Sequence, residues 1–163
     1  MDRVAVFQTV ITGLGATCIM DLWSCFQKRI IKVPPLNYAL VGRWVLWLPR
    51  GKLWHNTIVS TPPVPKEFLT GWLFHYLAGI IFAFIPFFLR GPGWLRDPFL
   101  VTALLSGLLT VLAPFIILQP VFGFGIAASR TPRPGLTRLL SLFAHLAYGV
   151  GLYIAALSVN FCS

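Results

Sequence analysis

Acidic side chains are nearly absent from this sequence. Four Asp and Glu stand against 13 Lys and Arg in 163 residues, and charged residues of both signs make up only 10% of the chain, where a soluble domain carries about 25%. A surface made of so few charges excludes an ordinary water-exposed globule. Cysteine is also scarce: Cys18, Cys25 and Cys162 form an odd set with no CxxC spacing, which excludes a disulfide framework or a structural zinc site. Also missing are a Walker or dinucleotide glycine fingerprint, a nucleophile elbow, an HExxH pair and paired catalytic carboxylates. Those absences leave whether the protein is an enzyme open and favour a non-enzymatic role.

What is present is apolar. Hydrophobic residues make up 57% of the chain and the mean hydropathy is +0.80, more apolar surface than one core of this size can hide from water. The excess must face lipid. The net charge of +9 therefore reads as orientation in a bilayer and not as affinity for nucleic acid.

A hydrocarbon core of about 30 Å needs about 20 mostly apolar residues in a helix. Four runs qualify, residues 4–26, 68–89, 99–118 and 139–161, each too long and too uniformly apolar for a membrane barrel strand. The first run has no small-x-small cleavage site and ends in Lys28-Arg29, so it reads as a retained helix. The fold class expected is all-α: a four-helix transmembrane bundle forming a single integral membrane domain over 1–163.

Cations set the expected orientation. Lys28, Arg29, Lys32, Arg43, Arg50, Lys52 and Lys66 fall between the first two runs, and Arg130, Arg133 and Arg138 between the last two. Only Arg3, Arg90 and Arg96 lie on the opposite side. The cation-rich loops are expected in the cytoplasm and both termini outside it. Within the first loop, Asn37 to Leu48 is too short to span and is closed by Pro49, which predicts an interfacial or re-entrant helix. Trp23, Trp44, Trp47, Trp54 and Trp72 are expected to form an aromatic belt beside it. Close helix packing is expected at Gly13 and Thr17, Gly79 and Ala83, Ala103 and Gly107, and Ala147, Gly151 and Ala155.

Ionisable groups inside a membrane are costly and therefore informative. Asp21, His75 and His145 lie about 8, 10 and 9 Å inside the cytoplasmic ends of their runs at 1.5 Å per residue. Three helices thus bring a titratable side chain to one depth. The plain reading is packing hydrogen bonds; the functional reading is a cytoplasm-facing pocket that binds or translocates a small ligand, ion or proton. Such a set can also bind a divalent metal, or His75 and His145 can clamp a b-type haem in a redox or enzyme subunit. A subunit that serves assembly alone is the remaining alternative. Arg43 and Arg130 are candidates for cytoplasmic anions or anionic lipid headgroups, Arg130 because it follows the glycine-rich stretch Gly123 to Gly125. His55, in a polar loop, is expected to be solvated.

Five segments carry a resemblance: MDLW at Met20 to Trp23, LNYALVGRW at Leu36 to Trp44, GWLFHY at Gly71 to Tyr76, VLAPFIILQP at Val111 to Pro120, and GIAASRTPRP at Gly125 to Pro134. Together they resemble the bacterial membrane family known as domain of unknown function 2938, over nearly the whole chain. The resemblance implies a small multi-pass protein of the bacterial inner (cytoplasmic) membrane and assigns no activity, ligand or cofactor to these residues.

Overall fold

The computed structural model describes residues 3–161. It is 76% helical, and among the described residues there is no strand. Helix α1 runs Arg3–Ile30. The hydroxyls of Thr9, Thr12 and Thr17 donate one turn back to the carbonyls of Ala5, Gln8 and Gly13 at 2.7, 2.8 and 2.7 Å, so these polar groups are satisfied within their own helix. Helix α2, Tyr38–Trp47, starts where the Asn37 side chain accepts the Ala39 N–H at 3.0 Å. Pro49 closes it through a tight turn that ends at Gly51, with φ 75°. The helix expected over 37–48 therefore exists as a helix.

The next two runs are less regular than their apolar composition suggests. Helices α3 (Glu67–Phe82) and α4 (Ile85–Arg90) are separated by a break that traces to Pro86. Proline has no N–H to offer and its ring crowds the carbonyl one turn back, and Ala83 N–H is shared between the carbonyls of Gly79 and Ile80 at 3.1 and 3.2 Å. Helix α5 (Leu100–Thr110) continues into a π-helical stretch, Ala113–Leu118, and then the short α6, Gln119–Val121. Pro114 sits in that wide turn, where the ordinary ladder already lacks its donor. Helix α7 is Pro134–Phe161. Four stretches, Arg3–Ile30, Glu67–Arg90, Leu100–Val121 and Pro134–Val159, are long and apolar enough to cross a membrane. Large apolar side chains such as Leu22, Leu73, Phe88 and Ile116 stand exposed on them, as lipid-facing helices require.

Contacts divide the chain into two compact units, one of Met1–Pro35, Tyr76–Thr110 and Leu142–Ser163, the other of Leu36–His75 and Val111–Ser141. The first is closed by small residues. A side-chain carbon on Gly13 would stand 2.7 Å from Ile80 Cα, one on Gly151 2.8 Å from Ala16 Cα, and one on Gly107 2.8 Å from Gly149 Cα. Backbones in lipid approach this closely where nothing intervenes. Trp94, Leu95, Tyr148 and Leu152 fill the core around Ala16, Ala83 and Ala103, and the Tyr148 hydroxyl donates to the Gly79 carbonyl at 2.6 Å.

In the second unit α2 lies directly on the start of α3. Gly42 and Gly71 face each other's helices, and a side chain on either would enter the Glu67 or Tyr38 carbonyl. Val41, Trp44, Ile58, Val121 and Phe122 form its core. Trp44, expected in an interfacial belt, is instead buried there, its indole N–H donating to the Leu53 carbonyl at 3.0 Å. The loop between α2 and α3 is tied down by backbone bonds from His55 to Val121 and from Ile58 to Phe122, both 2.9 Å.

Candidate functional site

Those two backbone bonds bring residues 54–56 against residues 120–130 and leave a groove of about 840 Å³ between them, lined by His55, Asn56, Gly123, Gly125, Ser129 and Arg130. The 123–128 turn has an unusual backbone. Gly123 and Gly125 have φ of 83° and 73°, and Ala127 and Ala128 also lie in the left-handed region at 48° and 58°. Two alanines there cost about 1–2 kcal/mol each. The conformation is held by the Arg130 N–H on the Phe124 carbonyl at 2.8 Å, by Arg138 Nε on the Ala127 carbonyl at 2.7 Å, and by the Thr131 hydroxyl on the Ala128 carbonyl at 2.8 Å. Gly123 has a second constraint, because a side chain would run into the Asn56 carbonyl. Backbone held in sparse regions by its surroundings is found at ligand-binding turns.

His55 departs from expectation. It is buried, with 5% exposure, because its own backbone is pinned to Val121. Its Nδ1 is 2.7 Å from the Thr61 hydroxyl, which itself donates to the Thr57 carbonyl at 3.4 Å. A hydroxyl both donates and accepts, so this pairing is compatible with the ring proton on either nitrogen. Nε2 is buried and has no partner. Burial and the nearby positive charge of Lys52 lower the imidazole pKa below its ordinary value, outweighing a hydrogen bond with the Lys52 backbone that raises it.

Arg130 is exposed on the groove, and among the described residues no carboxylate or carbonyl engages it. Arg43, the other anion candidate, is turned inward. Its Nε and Nη2 donate to the two Glu67 oxygens at 2.8 Å each, and Nη1 donates to the carbonyls of Thr61 and Ile58 at 2.8 and 3.2 Å. The paired carboxylate raises the guanidinium pKa further. Sequence reading could not anticipate this clamp, since Glu67 lies 24 residues away and only the α2–α3 contact makes them meet.

The intramembrane residues have partners within their own units. Asp21 accepts the Tyr76 hydroxyl at 3.0 Å in the first unit, and Cys18 Sγ lies 3.5 Å from the same hydroxyl. His75, in the second unit, stacks on Tyr38 with ring centroids 4.2 Å apart, its Nε2 3.1 Å from the Tyr38 hydroxyl. His145 is half-buried on α7, and its backbone carbonyl faces Gly107. Among the described residues no group of three or more His, Cys, Asp or Glu is placed to hold a metal ion. Cys162 lies outside the described residues.

Four membrane-length helices closed by glycine contacts define a small multi-helix membrane protein. Within that class the chain belongs to the protein family of unknown function DUF2938, whose sequence profile matches residues 10–159. No curated protein and no solved structure matches the chain.

Proposed function

We propose that this protein is a multi-pass protein of the bacterial cytoplasmic membrane, both termini outside, that binds a small polar ligand from the cytoplasm in the groove between residues 54–56 and 120–130. One observation carries the reading: the groove is lined by exposed Arg130, Ser129 and Asn56 and by the buried His55, whose Nε2 has no hydrogen-bond partner among the described residues. Native structures leave few buried polar atoms unsatisfied, and each exception asks for a partner. Both groove segments lie in the cation-rich loops between spans one and two and between spans three and four, which the charge rule assigns to the cytoplasm.

The test is thermal unfolding of detergent-purified protein with a panel of anionic, neutral and cationic small molecules, beside Ser129→Trp, which fills the groove from an exposed position. A true ligand at a hundred times its Kd adds about 2.7 kcal/mol, a rise of about 5–10 °C for a chain of this size, and the rise disappears in Ser129→Trp. If no compound raises the wild-type midpoint more than that of Ser129→Trp, the groove is not a ligand site.

A second reading is proton binding at Asp21, an acidic side chain inside a span that accepts the Tyr76 hydroxyl.

A further inference from the structure

We infer that the groove seats the headgroup of an anionic phospholipid, its phosphate against Arg130 and its glycerol end against Trp54 and Ile126; the inference rests on the groove being a ligand site and names that ligand as part of the bilayer.

Depth points to lipid. The span Leu100–Val121 has 22 residues, about 33 Å at 1.5 Å per residue, which matches the thickness of a hydrocarbon core. Its last residue therefore reaches the headgroup boundary. The His55 and Ile58 N–H groups bond the Val121 and Phe122 carbonyls, both at 2.9 Å, so the opposite wall is pinned at that same level. Pro120, inside the span, also lines the groove. The groove thus lies in the layer where lipid phosphates sit. Its apolar rim agrees: Trp54 and Ile126 are 64% and 67% exposed. A soluble anion on Arg130 would leave both in water, whereas a lipid covers them, and an indole is at home beside headgroups.

Charge points to an anionic lipid. No Asp or Glu occurs between Asp21 and Glu67 or after Asp97, so the two loops that build the groove have no acid of their own. Glu67 is already paired with Arg43 and Asp97 with Arg90. The counter-charge for Arg130 must come from outside these loops. Its backbone is fixed by its N–H on the Phe124 carbonyl, while its side chain stands exposed on the groove. A guanidinium fork takes two oxygens of one phosphate. The Ser129 hydroxyl and the Asn56 amide, exposed beside it with no hydrogen bond to another described residue, suit headgroup hydroxyls and the remaining phosphate oxygens. Trp54 and Asn56 also line an adjoining groove with Lys52, which adds a second cation on the far side of the indole.

The experiment follows the thermal midpoint of the full chain in phosphatidylcholine nanodiscs as phosphatidylglycerol or, as a control without net charge, phosphatidylethanolamine is added. Phosphatidylglycerol is expected to raise the midpoint and phosphatidylethanolamine is not. A basic residue near a membrane surface is worth about a fivefold change in affinity for anionic lipid, so Arg130→Gln should need about five times more phosphatidylglycerol for the same rise. Its side chain bonds nothing among the described residues, so the variant keeps its fold. Ser129→Trp, which fills the groove, should abolish the rise, and Arg133→Gln, the same charge change at an exposed residue outside the lining, should keep it. Equal losses in Arg130→Gln and Arg133→Gln would mean a general basic surface and overturn the inference. In the same discs, lipid brominated beside the glycerol should quench a share of the fluorescence that Trp54→Phe lacks; no such share puts the rim in water and overturns the inference as well. A soluble compound, glycerol phosphate included, that raises the midpoint of wild type but not of Ser129→Trp while phosphatidylglycerol does nothing overturns the lipid and keeps the groove as a ligand site. No rise with any lipid or compound removes both.

Discussion

Replacing Arg43 tests how the second unit is held together. Its guanidinium makes two charge-assisted bonds to Glu67 and two more to the Thr61 and Ile58 carbonyls, so it joins α2, the loop before α3 and the first turn of α3. Glu67 in turn accepts the Val64 N–H at 3.0 Å and helps start α3. Arg43→Met leaves a carboxylate and two carbonyls without their cation. Breaking a buried pair costs about 3–5 kcal/mol. The two side chains are 11% and 16% exposed, so some water reaches the orphaned groups and the expected loss is about 3 kcal/mol, at the low end of that range. Arg43→Lys keeps the charge, yet one ammonium cannot bridge a carboxylate and two carbonyls, and the expected loss is about 1–2 kcal/mol. The assay is thermal unfolding in mild detergent followed by tryptophan fluorescence, where about 3 kcal/mol corresponds to about 6–12 °C. The Arg43→Met, Glu67→Leu double variant removes both charges, so its loss falls short of the sum of the single losses by about 1–3 kcal/mol. An Arg43→Lys protein as stable as wild type, or single losses that simply add, would refute the clamp.

Three further outcomes follow from other contacts. Gly79→Ala drives a methyl into the Thr17 hydroxyl and is expected to cost about 1–3 kcal/mol; adding Thr17→Ala removes that hydroxyl and restores most of the midpoint, and no rescue contradicts the contact. His55, with its pKa lowered by burial and by Lys52, takes up its proton more readily unfolded than folded. Stability contributed by the neutral ring is therefore held above about pH 6.5 and falls as pH drops below it; the wild-type midpoint should decline from there toward pH 5.5 while that of His55→Gln stays flatter, and parallel curves would contradict this. For the proton reading, Asp21→Asn keeps a hydrogen-bonding side chain of similar size, so proton uptake by liposomes containing the protein should vanish with little change in midpoint, and Tyr76→Phe should weaken the same uptake; unchanged uptake in Asp21→Asn sinks that reading.

Much of the architecture was legible because membrane spans are written in composition. The runs at 4–26, 68–89, 99–118 and 139–161 match the four helices Arg3–Ile30, Glu67–Arg90, Leu100–Val121 and Pro134–Val159, and small residues such as Gly13, Gly79, Gly107 and Gly151 do lie at helix contacts. Asn37 and Pro49 bracketed α2 correctly. Long-range pairing was not legible. Whether Arg43 faces headgroups or Glu67, and whether His55 is wet or buried, depends on the 55–58 loop docking onto Val121 and Phe122, and no local pattern reports that. The groove was half visible, as the glycines before Arg130, but its opposite wall at His55 and Asn56 comes from a distant segment. The depth of Asp21, His75 and His145 could be read from position along each run, but depth along an axis says nothing about facing direction, so that Tyr76 and Tyr38 are among their partners could not.

The wide turn at Ala113–Leu118 bears on how relatives of this chain should be compared. A π-bulge carries one more residue than the α-helical turn it replaces, so side chains beyond it are rotated by about 100° from where an unbroken helix would present them. A relative that lacks the bulge is one residue shorter here yet keeps the same faces on either side. Ungapped alignment through this helix would then pair Gln119 and Val121 with residues of the wrong face, and a single-residue gap inside 113–118 is the correct registration. Removing one residue from that stretch should accordingly be tolerated better than the same deletion in Leu100–Thr110, where every downstream side chain would change face with nothing to absorb it.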